Sequence, residues 1–209
     1  MPLYKSITVN SQTTVKIWKI EESFEELFNP KQLKNSSLQR VNGMKSQLHQ
    51  RGFLSVRQLL ETFGYTDFDL FYDDNGKPHL MDGKEISITH SFTFSAVIVS
   101  SQKVGIDVEK QRDKIAKIAH KFVDYEFKYL TKKADNYINK LTVIWGIKES
   151  LYKLFATPGM LFKTHFLVIP FSMADKHTIA WIDYNGLKKR YNATFLEFEG
   201  FTCAYAIEE

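Results

Sequence analysis

Asp107 and Glu109 stand two residues apart in Val104-Gly105-Ile106-Asp107-Val108-Glu109, a run in which apolar residues alternate with the others. On a strand, that period sends both carboxylates to one face. Glu149 belongs to Trp145-Gly146-Ile147-Lys148-Glu149-Ser150-Leu151-Tyr152-Lys153. Read as a helix, this segment puts Trp145 and Lys153 one turn to either side of Glu149. Two carboxylates about 4 Å apart repel by roughly 4 kcal/mol at an effective dielectric near 20, so a pair held together shares a proton or binds a cation. Oxygen ligands in a partly hydrated site suit Mg²⁺ or Mn²⁺, with phosphate oxygens completing the octahedron. A polar strand end on an exposed face would carry the same Asp-x-Glu.

Lys148 falls on the arc of Leu141, Ile144, Tyr152 and Phe155, otherwise the buried stripe of its helix. A lysine there either snorkels along its stem or meets a buried anion. Lys148 and Lys153, flanking Glu149, would make a clamp for a diphosphate. His90 ends the alternating run Ile86-Ser87-Ile88-Thr89-His90-Ser91, where a loop should begin. Thr89, His90 and Ser91 together offer three hydrogen-bonding side chains at a site edge, which suits phosphate or nucleotide contact; a lone histidine is also commonly structural.

The elements that must position these groups read as mixed α and β. Thr13–Ile20 alternates as a strand, and apolar positions from Ser37 to Phe63 recur at helical spacing, with Gly64 as a C-cap. Phe68–Tyr72 is short and aromatic, and Asp74-Asn75-Gly76 signals a turn. Ile86–Ser91, Phe94–Ser100 and Lys103–Glu109 read as strands. Helices are expected over Lys114–Phe122, capped by Asp113, and from Asp135 or Asn136 to about Phe155. Lys163–Ile169, His177–Tyr184, Arg190–Glu199 and Phe201–Glu209 read as four further strands. A boundary at Ser101–Val104 would separate an N-terminal subdomain, 1–102, from a C-terminal subdomain, 103–209, that carries the acidic residues. Each would pack helices on a sheet.

Of 209 residues, 44% are hydrophobic and 25% charged, which is globular rather than disordered composition. The lone Cys203 excludes a disulfide framework and a cysteine zinc site, and favours a reducing, cytoplasmic setting. The first twenty residues lack the apolar core of a signal peptide, and no run nears the ~18 residues of a membrane span, so no membrane association is expected. Net charge is only +4, but Leu27–Leu60 holds six basic residues and no acidic one, and Lys110–Lys140 holds nine basic and four acidic. Such local fields attract phosphates or acidic partners. The overall balance and the lack of a binding motif argue against nucleic acid.

In order and spacing, Asn75-Gly76-Lys77-Pro78, Ile88-Thr89-His90-Ser91, Val104-Gly105-Ile106-Asp107-Val108-Glu109 and Trp145…Lys148-Glu149…Lys153 resemble the 4′-phosphopantetheinyl transferases. The likeness is to their two-domain, surfactin-synthetase-activating type, which modifies fatty-acid, polyketide and non-ribosomal peptide carrier proteins. It covers roughly Asn75–Lys153. Two departures stand out. Thr89 replaces the first motif serine, and Gly146 replaces a small polar residue or Ala, at up to ~1 kcal/mol of helix propensity.

The resemblance implies an α+β fold of two similar α/β subdomains in a pseudo-twofold arrangement, with coenzyme A as substrate in the cleft between them. Asp107, Glu109 and Glu149 would hold Mg²⁺ (or Mn²⁺) with the diphosphate. Thr89 and His90 would contact cofactor phosphates, Lys77 and Pro78 would line the adenine end, and Lys148 and Lys153 would neutralise the diphosphate. Arg51 and Lys45 are the candidates for the 3′-phosphate anchor, ahead of Lys31 and Lys34. Glu126 matches a glutamate proposed as general base, or is an exposed helix residue. Catalysis would rest on Glu126, Glu149 and Lys153. An acyl, peptidyl or polyketide carrier protein would be the partner, and the basic, amphipathic stretch 114–122 would be its docking helix or else a solvated face. A cytoplasmic monomer is expected. A metal-dependent nuclease and a coenzyme A- or carrier-binding homologue without activity stay open beside this reading.

Overall fold

A computed structural model describes residues 3–208 and divides the chain into two compact units, Met1–Gln102 and Lys103–Glu209. Both are α+β. In the N-terminal unit, β1 (Leu3–Asn10) and β2 (Thr13–Lys19) form a hairpin, followed by the short α1 (Phe24–Leu27), α2 (Asn35–Gly43) and α3 (Gln47–Thr62). A small antiparallel pair, β3 (Leu70–Tyr72) and β4 (Pro78–Leu80), precedes β5 (Glu85–Ser91) and β6 (Phe94–Ser100). The main sheet is antiparallel in the order β1-β2-β6-β5. Every residue of the central β6 is buried.

The single helical pattern read over Ser37–Phe63 is two helices, because the chain leaves helical geometry at Met44, extended at φ −77° and ψ 125°. Past the break, α3 packs Phe53, Leu54, Val56, Leu59 and Leu60 into the core under the sheet. Gly64, at φ +85°, ends the last turn: its N–H reaches the Glu61 carbonyl, and the Tyr65 N–H reaches Leu60. That is the paired hydrogen-bond closure a left-handed glycine permits.

The C-terminal unit runs β7 (Val104–Lys110), α4 (Lys114–Ile118), α5 (Tyr137–Phe155), α6 (Phe162–His165), β8 (Phe166–Val168), β9 (His177–Tyr184), β10 (Leu187–Phe198) and β11 (Phe201–Ile207). Its antiparallel sheet has the order β7-β11-β10-β9-β8. The 19-residue α5 crosses β7 and β11, burying Leu141, Ile144, Ile147, Leu151 and Leu154. The helix expected over Lys114–Phe122 is α for one turn only, then a 3₁₀ turn at Ala119–Lys121. The strand expected over Lys163–Ile169 begins as α6, a single turn closed when the Leu161 N–H donates to His165 Nδ1 at 2.8 Å. Among the described residues no helix is long and apolar enough to cross a membrane.

Candidate active site

The period-2 geometry of β7 carries Asp107 and Glu109 on one face, opposite Ala204 and Thr202 of β11. Asp107 is 5% exposed. Over it lies α5, and the approach of helix to strand depends on what is missing from Gly105. A Cβ there would stand 1.8 Å from the Ser150 carbonyl oxygen, an impossible contact with backbone that cannot swing away. Gly146 plays a milder part: a Cβ would meet the Ala204 Cβ at 3.2 Å and come within 3.9 Å of Asp107 Oδ2. The Ser150 hydroxyl, 2.7 Å from the Gly146 carbonyl and 3.0 Å from that of Ala204, completes the contact. The helix is thus pressed onto the strand beside Glu149.

From that helix Lys153 reaches back to β7. Its Nζ donates to Asp107 Oδ1 at 2.8 Å and to the Ile106 carbonyl at 2.9 Å. Glu149, one turn earlier, feels the whole set: burial pushes its carboxyl up to about 7, with Asp107 and Glu109 adding to the rise and Lys153 opposing it. The carboxyl therefore sits at the edge of ionisation at neutral pH, because the three acidic groups have one nearby cation among them.

Among the described residues no three His, Cys, Asp or Glu side chains stand close enough as placed to form a metal site. The donor chemistry nonetheless fits a hard divalent cation. All three groups are carboxylates, Glu149 is raised by burial and further by the other two, and an added positive charge would relieve that repulsion. Lys153 holds one Asp107 oxygen in the meantime.

Lys148 and Glu126 are placed elsewhere, and together. Lys148 is wholly buried and Glu126 is 1% exposed, with Nζ 2.7 Å from Glu126 Oε1. The ammonium also donates to the carbonyls of Phe122 at 2.7 Å and Phe162 at 3.1 Å. Glu126 Oε1 accepts the Val168 N–H at 3.0 Å, and Oε2 accepts that of Asp124 at 3.2 Å. Burial lowers the Lys148 pKa, and the Glu126 carboxylate opposes that shift. The helical arc of Lys148 does lead to an anion, but the anion is Glu126. As placed, Lys148 presents nothing to a diphosphate and Glu126 nothing to a substrate hydroxyl. This differs from both roles that the resemblance implies: all three donors of Lys148 are taken within the fold, and both Glu126 oxygens accept internal hydrogen bonds. Trp145 packs edge-on to Phe122 and tilted against Phe162, so it braces the same region.

Beside Glu109 and Trp145 opens a pocket of about 250 Å³, walled by Lys110, Arg112, Lys114, Ile115 and Ile118. Of its lining, Lys114, Ile115 and Ile118 come from the amphipathic stretch 114–122. Lys114, Lys117 and Lys121 are exposed, whereas Phe122 is fully buried, so the amphipathic division survives the shortness of α4.

The remaining predicted residues belong to the N-terminal unit. Thr89 is buried and His90 exposed at the end of β5. Gly52 of α3 accommodates the imidazole, since a Cβ would lie 2.8 Å from His90 Nδ1. Next to it, Arg51 donates through Nη2 to the Ile20 carbonyl at 3.0 Å. Lys45 is exposed in the break between α2 and α3. Lys77 lies 3.4 Å from Glu85 Oε2, and Pro78 opens β4. Lys34 is taken up by the Leu70 carbonyl, and Lys31 is exposed.

The sequence model of the 4′-phosphopantetheinyl transferase superfamily matches residues 103–206, the unit that holds Asp107, Glu109, Glu149 and Lys153. The chain is also 28% identical over 161 residues to 4′-phosphopantetheinyl transferase gsp of Aneurinibacillus migulanus; the match covers 73% of this chain and 65% of the relative's length. The C-terminal unit of the protein, over residues 103–206, belongs to the 4′-phosphopantetheinyl transferase superfamily.

Proposed function

We propose that this protein transfers the 4′-phosphopantetheine arm of coenzyme A to a serine hydroxyl of an apo carrier protein, with Mg²⁺, releasing adenosine 3′,5′-bisphosphate. What supports the reading is the contact of Lys153 with Asp107 where α5 crosses β7, beside a Glu149 carboxyl raised by burial and by Asp107 and Glu109. Asp107, Glu109 and Glu149 would hold the cation. Bound there, it would supply positive charge to the diphosphate and to the leaving phosphate.

The chain's own groups then have defined tasks. Lys153, already a donor to Asp107 Oδ1, would turn its ammonium to the diphosphate oxygens. It meets the charge that develops as the phosphorus–oxygen bond to the nucleotide breaks and can return a proton there. The serine Oγ would form the new bond to phosphorus as the bond to the nucleotide breaks, and its proton would leave to solvent water, because both oxygens of Glu126 are engaged and the three carboxylates of this set would be held by the cation. Rate enhancement would come from positioning and electrostatic stabilisation. In the N-terminal unit, Lys77, Pro78, Thr89, His90, Arg51 and Lys45 remain the proposed contacts for the nucleotide of coenzyme A. Lys114, Lys117 and Lys121 would meet an acidic acyl, peptidyl or polyketide carrier.

The test is the intact mass of apo acyl carrier protein after incubation with the protein, coenzyme A and Mg²⁺, with an EDTA control. A gain of one phosphopantetheine arm, lost with EDTA, is expected. Coenzyme A binding without transfer to several carriers would favour a binding-only homologue. Cleavage of DNA with Mg²⁺ and no arm transfer would favour a nuclease.

A further inference from the structure

We infer that Glu126 and Lys148 are positioning residues: a buried ion pair that sets the rotation of α5 about its axis, and so holds Glu149 and Lys153 toward Asp107, without either residue touching the substrate. The inference deepens the transfer reading and rests on it. It stands on geometry. Three donors of one ammonium meet three acceptors, the Glu126 carboxylate and the carbonyls of Phe122 and Phe162. The carboxylate in turn collects the backbone N–H groups of Asp124 and Val168. One pair therefore ties α5 to the 3₁₀ turn Tyr125–Lys128, to β8 and to α6.

Lys148 immediately precedes Glu149, so a helical turn that fixes one fixes the azimuth of the other, about 100° further round. On the opposite side of the helix the Gly105–Ser150 contact allows no separation from β7. Held from both sides, α5 has one rotational setting. Breaking the pair would leave a buried charge without its partner, which is far more costly than removing both charges together.

The experiment has two arms. In the first, kcat and the coenzyme A KM are measured with Melting temperatures for Lys148→Gln, Glu126→Gln and the neutral double variant K148Q/E126Q, which keeps amide donors and acceptors where the charges were. Each single change should lower kcat about 100-fold with the coenzyme A KM within about threefold, and the double variant should regain at least tenfold. A folded double variant no better than Glu126→Gln would overturn the inference in favour of a general base. A tenfold rise in KM with kcat intact in Lys148→Gln would overturn it in favour of a diphosphate clamp.

The second arm needs no variant. The wild-type protein is labelled with an amine-acylating reagent, with and without coenzyme A, and Lys148 is read by peptide mass. It should stay unlabelled in both; labelling that coenzyme A suppresses would sink the inference even if no variant folds. Wild-type transfer is assayed alongside. Its absence would refute the transfer reading, while the state of Lys148 is read without turnover.

Discussion

Two lysine–carboxylate pairs lie on the same helix, five residues apart, and have opposite fates. Lys148–Glu126 is sealed, with side chains 0% and 1% exposed, and every contact is internal. Lys153–Asp107 is equally short, at 2.8 Å, but its lysine is 28% exposed and a third group, Glu149, stands near with its carboxyl raised to about 7. The sealed pair has its charges matched within the fold. The open one sets one partly exposed lysine beside Asp107 and Glu149, a condition that a metal and a diphosphate would satisfy. Short ion-pair distance therefore says little about function; incompleteness and access say much.

The strongest way to break the comparison is to remove the open pair. Lys153→Ala or Asp107→Asn should cut kcat for arm transfer about 1,000-fold, read by carrier mass, with a smaller loss of stability than the Lys148 variants, since the Lys153 side chain is 28% exposed although Asp107 is buried. A loss of stability as large as that of the Lys148 variants would erase the distinction.

Gly105→Ala comes next. Its Cβ would fall 1.8 Å from the Ser150 carbonyl, so α5 must lift from β7. We expect a loss of about 2–3 kcal/mol in denaturant unfolding, with activity falling as well, because both pairs depend on that contact. Unchanged unfolding would show that the helix is not held where the pairs need it.

Glu149 sharpens the comparison through pH. Its folded pKa of about 7 lies above the model-peptide value for glutamate, so between about pH 4.5 and 7 the folded state binds the extra proton. Stability from this group is thus fully present below about pH 4.5 and is lost as pH rises through 7. Glu149→Gln should remove that slope and be more stable than wild type at pH 8 by about 1–2 kcal/mol, measured by thermal unfolding without Mg²⁺. Parallel pH curves for the two proteins would remove Glu149 from the repelling set.

The smallest effect belongs to the exposed lysines. Changing Lys114, Lys117 and Lys121 to Glu should raise the carrier KM about fivefold at low salt and by less at high salt, with kcat retained. A salt-independent change would point to lost packing of α4.

Much of the fold was legible in local pattern. The alternation of His177–Tyr184 and the apolar run Phe94–Ser100 mark strands at the limits observed. Misreadings fall where local pattern is overruled. The periodicity of Ser37–Phe63 runs on across a break at Met44, since hydrophobic spacing does not record a change of helix direction. The apolar residues of Phe162–Val168 suit either a strand or the helical turn that His165 closes. The edge strand β1 carries mostly exposed residues, so burial leaves little signature in its sequence.

At the site, spacing alone determines that Asp107 and Glu109 share a face and that Glu149 and Lys153 share another, because backbone period is a local property. It also determines that Lys148 points toward a buried arc. What that lysine meets is a matter of tertiary structure. Glu126 lies 22 positions away on a short 3₁₀ turn, and only the folding of that turn, β8 and α6 around α5 brings its carboxylate within 2.7 Å of the ammonium. The same packing leaves Lys153 facing Asp107 and partly open to solvent. Charge type and face are written in the chain, whereas which charge is sealed and which stays available depends on long-range burial.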